Sequence, residues 1–139
     1  MAPLFIHFLN HLNEVYEKGD VVNSVKLGEE VFVHLKMRAL DNKHHYNVAI
    51  VDLLPGGFEV VLDKNLRQQN SGWQPEYIDS REDRMIVFGN VASNVQEFVY
   101  RIKATNAGQY KVPPTFAESM YDRSVQARSL GGKISVVKP

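Results

Sequence analysis

The segment Asp79-Ser80-Arg81-Glu82-Asp83-Arg84 concentrates three carboxylates and two guanidiniums in six residues. Two carboxylates can act as general acid and base only where an apolar setting keeps one of them protonated. Arginines within a few residues do the opposite and hold carboxylates ionised. The segment therefore reads as an ion-pair cluster leading into a strand from Met85 to Phe88, with a small hydrolase as the minority reading. His44-His45-Tyr46 invites a metal, but adjacent histidines on a strand point to opposite faces and cannot converge on one ion without a turn. No carboxylate or further histidine sits at a supporting spacing, so the pair reads as a polar hairpin end. The serines offer no Gly-x-Ser-x-Gly elbow. Pro55-Gly56-Gly57 is too short for a phosphate cradle and lacks a following Lys-Ser/Thr; it reads as a tight turn whose glycines supply positive φ. With no cysteine in the chain, disulfides, thiolate metal sites and a thiol nucleophile are excluded within it. No catalytic constellation assembles. The expectation is a non-enzyme with no cofactor and no metal.

The elements that would position any site are strands. In residues 31–39, Val31, Val33, Leu35, Met37 and Ala39 share one face, opposite Phe32, His34, Lys36 and Arg38. Phe98, Tyr100, Ile102 and Ala104 repeat the pattern against Val99, Arg101 and Lys103. Tyr46, Val48 and Ile50 form a third apolar face, with Asn47, Ala49 and Val51 opposite. A two-residue period marks β-structure, and strands with one polar face belong to antiparallel sheets with one solvated side. Further strands are expected over 58–62, 84–88 and 133–137. Turn signals separate them at Lys18-Gly19-Asp20, Leu27-Gly28, Asp41-Asn42, Pro55-Gly56-Gly57, Asn106-Ala107-Gly108 and Gly131-Gly132. The result is an all-β, antiparallel sandwich or barrel.

Two segments break this rhythm. Residues 65–77 are polar with Trp73 and Pro75 embedded, a long excursion that either carries function or covers a sandwich edge. Thr115-Phe116-Ala117-Glu118, after Pro113-Pro114, fits a capping box and predicts one short helical turn running through Met120. Ser93 to Gln96 fits the same pattern, but the alternation after it favours a strand. Phe5, Phe32 and Trp73 are candidates for an exposed binding surface, although single aromatics are more often packed inside.

Composition sets the remaining bounds. A chain of 139 residues with 44% apolar and 23% charged side chains is that of one ordinary globular domain. Sixteen basic and sixteen acidic residues cancel, so no basic surface for nucleic acid is indicated. Lys36 with Arg38, and Arg101 with Lys103, read as solvated outer faces of strands. No signal peptide is visible at Met1-Ala2-Pro3, and the apolar runs fall far short of the roughly 20 residues of a membrane helix. If the native protein is exported, its targeting signal is expected outside this chain.

Three stretches together carry a family resemblance. They are 47–59 (Asn-Val-Ala-Ile-Val-Asp-Leu-Leu-Pro-Gly-Gly-Phe-Glu), 77–84 (Tyr-Ile-Asp-Ser-Arg-Glu-Asp-Arg) followed by an apolar strand and Gly89, and 100–110 (Tyr-Arg-Ile-Lys-Ala-Thr-Asn-Ala-Gly-Gln-Tyr). The last runs into Val112-Pro113-Pro114, Ala117-Glu118-Ser119-Met120-Tyr121 and Gly131-Gly132-Lys133. In order and spacing, from Gly28 onward, the chain resembles the last domain of bacterial alpha-2-macroglobulins. The resemblance implies a fibronectin-type-III or immunoglobulin-like macroglobulin sandwich of seven or more strands, with 1–139 a single C-terminal domain cut from a much larger protein. It implies a periplasmic protease trap, often a lipoprotein of the inner membrane, in which this domain packs against a thioester-type domain and shields it until bait cleavage. Target proteases would be met through the full-length protein. No catalytic residue carries over, and no thioester motif lies in these residues. For the interdomain contact the candidates are Trp73 and Tyr77 in the excursion, and Phe116, Met120 and Tyr121 beyond the double proline; the plainer reading is that both segments cap the sandwich core. The alternative is a free-standing carbohydrate- or adhesin-type β-sandwich, which calls for an exposed aromatic platform.

Overall fold

The computed structural model describes residues 4–11, 24–39, 43–70, 72–121, 126–128 and 131–139. Its strands are β1 (Leu4–His11), β2 (Ser24–Lys26), β3 (Glu30–Ala39), β4 (His45–Leu53), β5 (Phe58–Val60), β6 (Tyr77–Ser80), β7 (Arg84–Val91), β8 (Gln96–Ala104), β9 (Gly108–Val112), β10 (Phe116–Ser119), β11 (Gln126–Arg128) and β12 (Gly132–Val137). One helical turn, α1 (Leu66–Gln69), interrupts them. The turn signals at Lys18-Gly19-Asp20 and Asp41-Asn42, and the side chain of Phe5, fall outside the described residues.

A four-stranded sheet ordered β1-β3-β8-β5 faces a five-stranded sheet ordered β11-β10-β4-β7-β6, and β2-β12-β9 forms a third, smaller sheet. All pairings are antiparallel except β2 with β12. The predicted faces explain the packing. Val31, Val33, Leu35, Met37 and Ala39 of β3 are all buried, as are Phe98, Tyr100, Ile102 and Ala104 of β8. They meet Val48 and Ile50 of β4, Met85 and Val87 of β7 and Ala117 of β10 in one core. Val25, Val112, Ile134 and Val136 extend that core under the third sheet.

Four local expectations are corrected. Residues 116–119 form strand β10, not a helical turn, with Ala117 and Ser119 buried and Phe116 and Glu118 outward. The Thr115 hydroxyl that was to cap a helix instead donates to Asp52 Oδ1 at 2.9 Å. The helical turn lies inside the 65–77 excursion, where Leu66 enters the core. Tyr46 does not share the face of Val48 and Ile50, because a β-bulge breaks the β4–β7 register between His45 and Val48. Asn47 takes the left-handed conformation there (φ 55°), and the extra residue turns Tyr46 out to 61% exposure. Finally, neither Gly56 nor Gly57 has positive φ; among the described glycines Gly28 and Gly108 do. Gly57 is needed for close approach instead. A Cβ there would lie 2.5 Å from Tyr110 Cζ and 2.8 Å from the Asn106 carbonyl oxygen.

Candidate interdomain surface

The two sheets differ in what they show to the outside. On the four-stranded sheet, Phe32, His34 and Lys36 of β3 lie on the outer side beside Glu97, Val99 and Arg101 of β8, a mixed polar set, although His34 itself is covered, at 1% exposure. Several of its polar groups pair with one another or with flanking residues: His34 Nδ1 lies 3.2 Å from Glu97 Oε2, and Arg101 bridges Glu30 at 3.0 Å and Asp63 at 3.1 Å. A groove of about 910 Å³ runs beside this face, between β8 and Asn70, Gly72, Trp73 and Gln74. Within it the Asn70 side chain binds both backbone groups of Val99, donating to the carbonyl at 2.9 Å and accepting from the N–H at 2.7 Å. It does for β8 what a neighbouring strand would do where β5 has ended.

The five-stranded sheet breaks the rule of a polar outer side. Its outward positions run in cross-strand rows: Glu118, Ala49, Phe88 and Tyr77 in one, and Phe116, Val51, Ile86 and Asp79 in the next. The centre of the face is therefore Ala49, Val51, Ile86 and Phe88, all half-buried. Tyr77 leans on Phe88 with ring centroids 5.6 Å apart, and Arg128 lies 5.3 Å over the Phe116 ring.

The sequence candidates divide accordingly. Tyr77 (56% exposed) and Phe116 flank this apolar face from opposite sides. Met120 (57%) and Tyr121 (85%) project just beyond β10 at one end of the same sheet. Trp73 goes elsewhere. At 9% exposure it belongs to the core, edge-on to Phe98, with its indole N–H donating to the Asn90 carbonyl at 2.7 Å. Gly89 exists to admit it, since a Cβ there would overlap the indole. The chain's single tryptophan is inside and so offers no platform for a sugar.

The ionisable cluster is resolved as ion pairs at the β6–β7 hairpin. Arg81 contacts Asp79 at 3.1 Å and Arg84 contacts Asp83 at 3.0 Å. The Arg84 hydrogen bond holds the Asp83 carboxyl below its ordinary range, the reverse of what a general acid needs. At the other end of the sheet, His44 stacks on Tyr46 with centroids 4.7 Å apart. Among the described residues no group of three His, Cys, Asp or Glu could hold a metal.

One buried polar cluster escaped the sequence reading. Asp52 is fully buried between the sheets and accepts hydrogen bonds from the Tyr100 hydroxyl of β8 and the Thr115 hydroxyl before β10. Burial raises its pKa to about 7, against the opposing pull of those two donors. The signal was its parity: Asp52 is two residues beyond Ile50 and four beyond Val48, so it had to share their inward face.

Comparison with known proteins agrees with this architecture. Residues 10–123 match the family model described as the bacterial alpha-2-macroglobulin MG10 domain. An alpha-2-macroglobulin homolog of Yersinia pestis is 46% identical over 88% of this chain, and an alpha-2-macroglobulin of Rickettsia conorii is 36% identical over 86%. The chain spans only 7% of the length of either. The crystal structure of Salmonella alpha-2-macroglobulin reacted with methylamine superimposes with a TM-score of 0.80 at 25% identity, over 97% of this chain and 9% of that one. An archaeal cohesin from Archaeoglobus fulgidus shares the fold alone, at a TM-score of 0.56 and 13% identity. The chain belongs to the bacterial alpha-2-macroglobulin family, as a β-sandwich domain of the MG10 type.

Proposed function

We propose that this domain is the non-catalytic C-terminal module of a periplasmic protease trap, held at the inner membrane by an anchor outside these residues. Its role is to pack against the thioester-type domain of the same polypeptide and shield it until a protease cuts the bait region. The observation that carries this reading is the outer face of the five-stranded sheet. Phe88, Ile86, Val51 and Ala49 form an apolar surface on a side that water would ordinarily claim, continued by Tyr77 and Phe116 and ending in the exposed Met120–Tyr121 tip. Apolar patches of this kind mark interaction sites. A partner in the same chain suits a domain that spans 7% of its relatives' length. The family supports the class of function, and it favours this reading over a free-standing glycan-binding module.

Trp73 contributes indirectly, as the plug that fixes β7 beneath the face. Target proteases are engaged through the full-length protein, and neither nucleic acid nor a cofactor is required. The test is a photo-crosslinking amino acid placed at Met120 or Tyr121 in the full-length parent. It should couple to the thioester-type domain before bait cleavage and lose that product afterwards. Coupling elsewhere, or none in the uncleaved protein, would reject the assignment.

A further inference from the structure

The Met120–Tyr121 tip is tied to β4 by a bond that carries the β10–β4 ladder one residue past Ser119–Val48. Its Met120 N–H donates at 2.9 Å to the carbonyl of Asn47, the residue at the β4 bulge. Asn47 is the single described non-glycine residue with positive φ, a conformation that asparagine tolerates and β-branched residues do not. Its own N–H is taken by the Asn90 side-chain oxygen at 3.2 Å. The Asn90 carbonyl in turn accepts the Trp73 indole N–H at 2.7 Å. A chain of contacts thus runs from the core plug Trp73, through Asn90 and Asn47, to the tip.

The same bulge has a second effect. Without it, Tyr46 would keep the parity of Val48 and Ile50 and point into the core. With it, Tyr46 is exposed, one residue from the carbonyl that holds Met120, and is backed by the stacked His44 ring. We propose that the β4 bulge is the positioning device of the contact tip, with Asn47 and Asn90 as positioning residues, and that Tyr46 joins Met120 and Tyr121 in touching the adjoining domain. The occupant is an apolar recess of the neighbouring domain in the same polypeptide, which three clustered side chains of this type would fill. This inference rests on the contact role proposed above for Met120 and Tyr121.

Two measurements separate the parts. The first is amide hydrogen exchange in this 139-residue chain, comparing Met120 with Leu35 of the β3 core as a reporter of global stability. Asn47→Val should speed exchange at Met120 by about tenfold or more while Leu35 changes little, and Asn47→Gly, which keeps the left-handed backbone, should stay within about twofold of the parent. Asn90→Ala should fall between them. Equal acceleration at Met120 and Leu35, or no change at Met120 with Asn47→Val, would overturn the positioning role. The second is the crosslinker carried at Tyr46 in the full-length parent. Coupling to the same domain as the Tyr121 crosslinker supports the assignment. Coupling from Tyr121 but not Tyr46 overturns the place of Tyr46, whereas failure at Tyr121 strikes the proposed function and leaves the exchange result standing.

Discussion

Trp73 and the Met120–Tyr121 tip began as equals, two aromatic-bearing segments that broke the strand rhythm and were candidates for the same contact. The fold separates them. Trp73 is drawn between the sheets, where Gly89 makes room, Phe98 meets its edge and Asn90 takes its N–H. Tyr121 is 85% exposed at the end of β10. An aromatic in an irregular segment goes inward when the neighbouring strands offer both space and a partner for its polar atom. Where the backbone is held at its root, as by the Asn47 carbonyl, and the side chain stays exposed, it is left for something else to cover.

This contrast can be broken most forcefully at Trp73. Trp73→Ala should cost about 4 kcal/mol of stability in urea unfolding, as a large buried side chain whose loss leaves a cavity. A cost below about 1 kcal/mol would show that the indole is not part of the core.

Next in size is the polar link beside the core. Asp52→Ala strands the buried hydroxyls of Tyr100 and Thr115 and should cost about 2–3 kcal/mol. The pH dependence has a definite sign. A carboxyl whose folded pKa is raised to about 7 from 3.8 binds more protons folded than unfolded, so stability falls as pH rises from 4 to 7 and levels off above. The slope from this group approaches about 1.4 kcal/mol per pH unit at most. Asp52→Asn should flatten that part of the profile, measured by denaturant midpoints across pH 4 to 8; an unchanged profile would mean that Asp52 is not the group responsible.

Gly89→Ala is smaller again. The added methyl meets the indole, and overpacking of this kind should cost about 1–3 kcal/mol and relax when combined with Trp73→Phe. Purely additive effects would show that the two residues do not compete for space. The smallest effect belongs to the tip: Tyr121→Ser should leave stability within about 0.5 kcal/mol, as exposed substitutions do. A larger loss would mean that Tyr121 serves this domain's own fold.

Much of this was legible in the sequence. The two-residue period in Val31 to Ala39 and Phe98 to Ala104 reports burial directly, because one buried face is what selects it. The ion pairs of residues 79–84 followed from arginines adjacent to carboxylates. What failed were positions whose local signal had a competing use. Thr115 carries a helix-capping signature, but its hydroxyl is taken by Asp52, and pairing with β4 fixes an extended backbone. Tyr46 obeyed a strand period that the Asn47 bulge resets, and a bulge on asparagine leaves little trace in a sequence. Gly57 looked like a turn glycine because the Tyr110 ring that requires it lies 53 residues away along the chain. Asp52 was readable by parity, yet a carboxylate on an apolar face makes sense only with Tyr100 and Thr115 beside it.

The central claim is that the five-stranded sheet's outer side and its tip are covered within the parent protein. Hydroxyl-radical footprinting of that full-length protein, before and after bait cleavage, tests it most directly. Phe88, Phe116, Met120 and Tyr121 should oxidise slowly in the uncleaved protein and several-fold faster after cleavage, while Phe32 on the opposite sheet should change little. Equal oxidation of Met120 and Tyr121 in both states, at the rate of freely exposed side chains, would contradict the account.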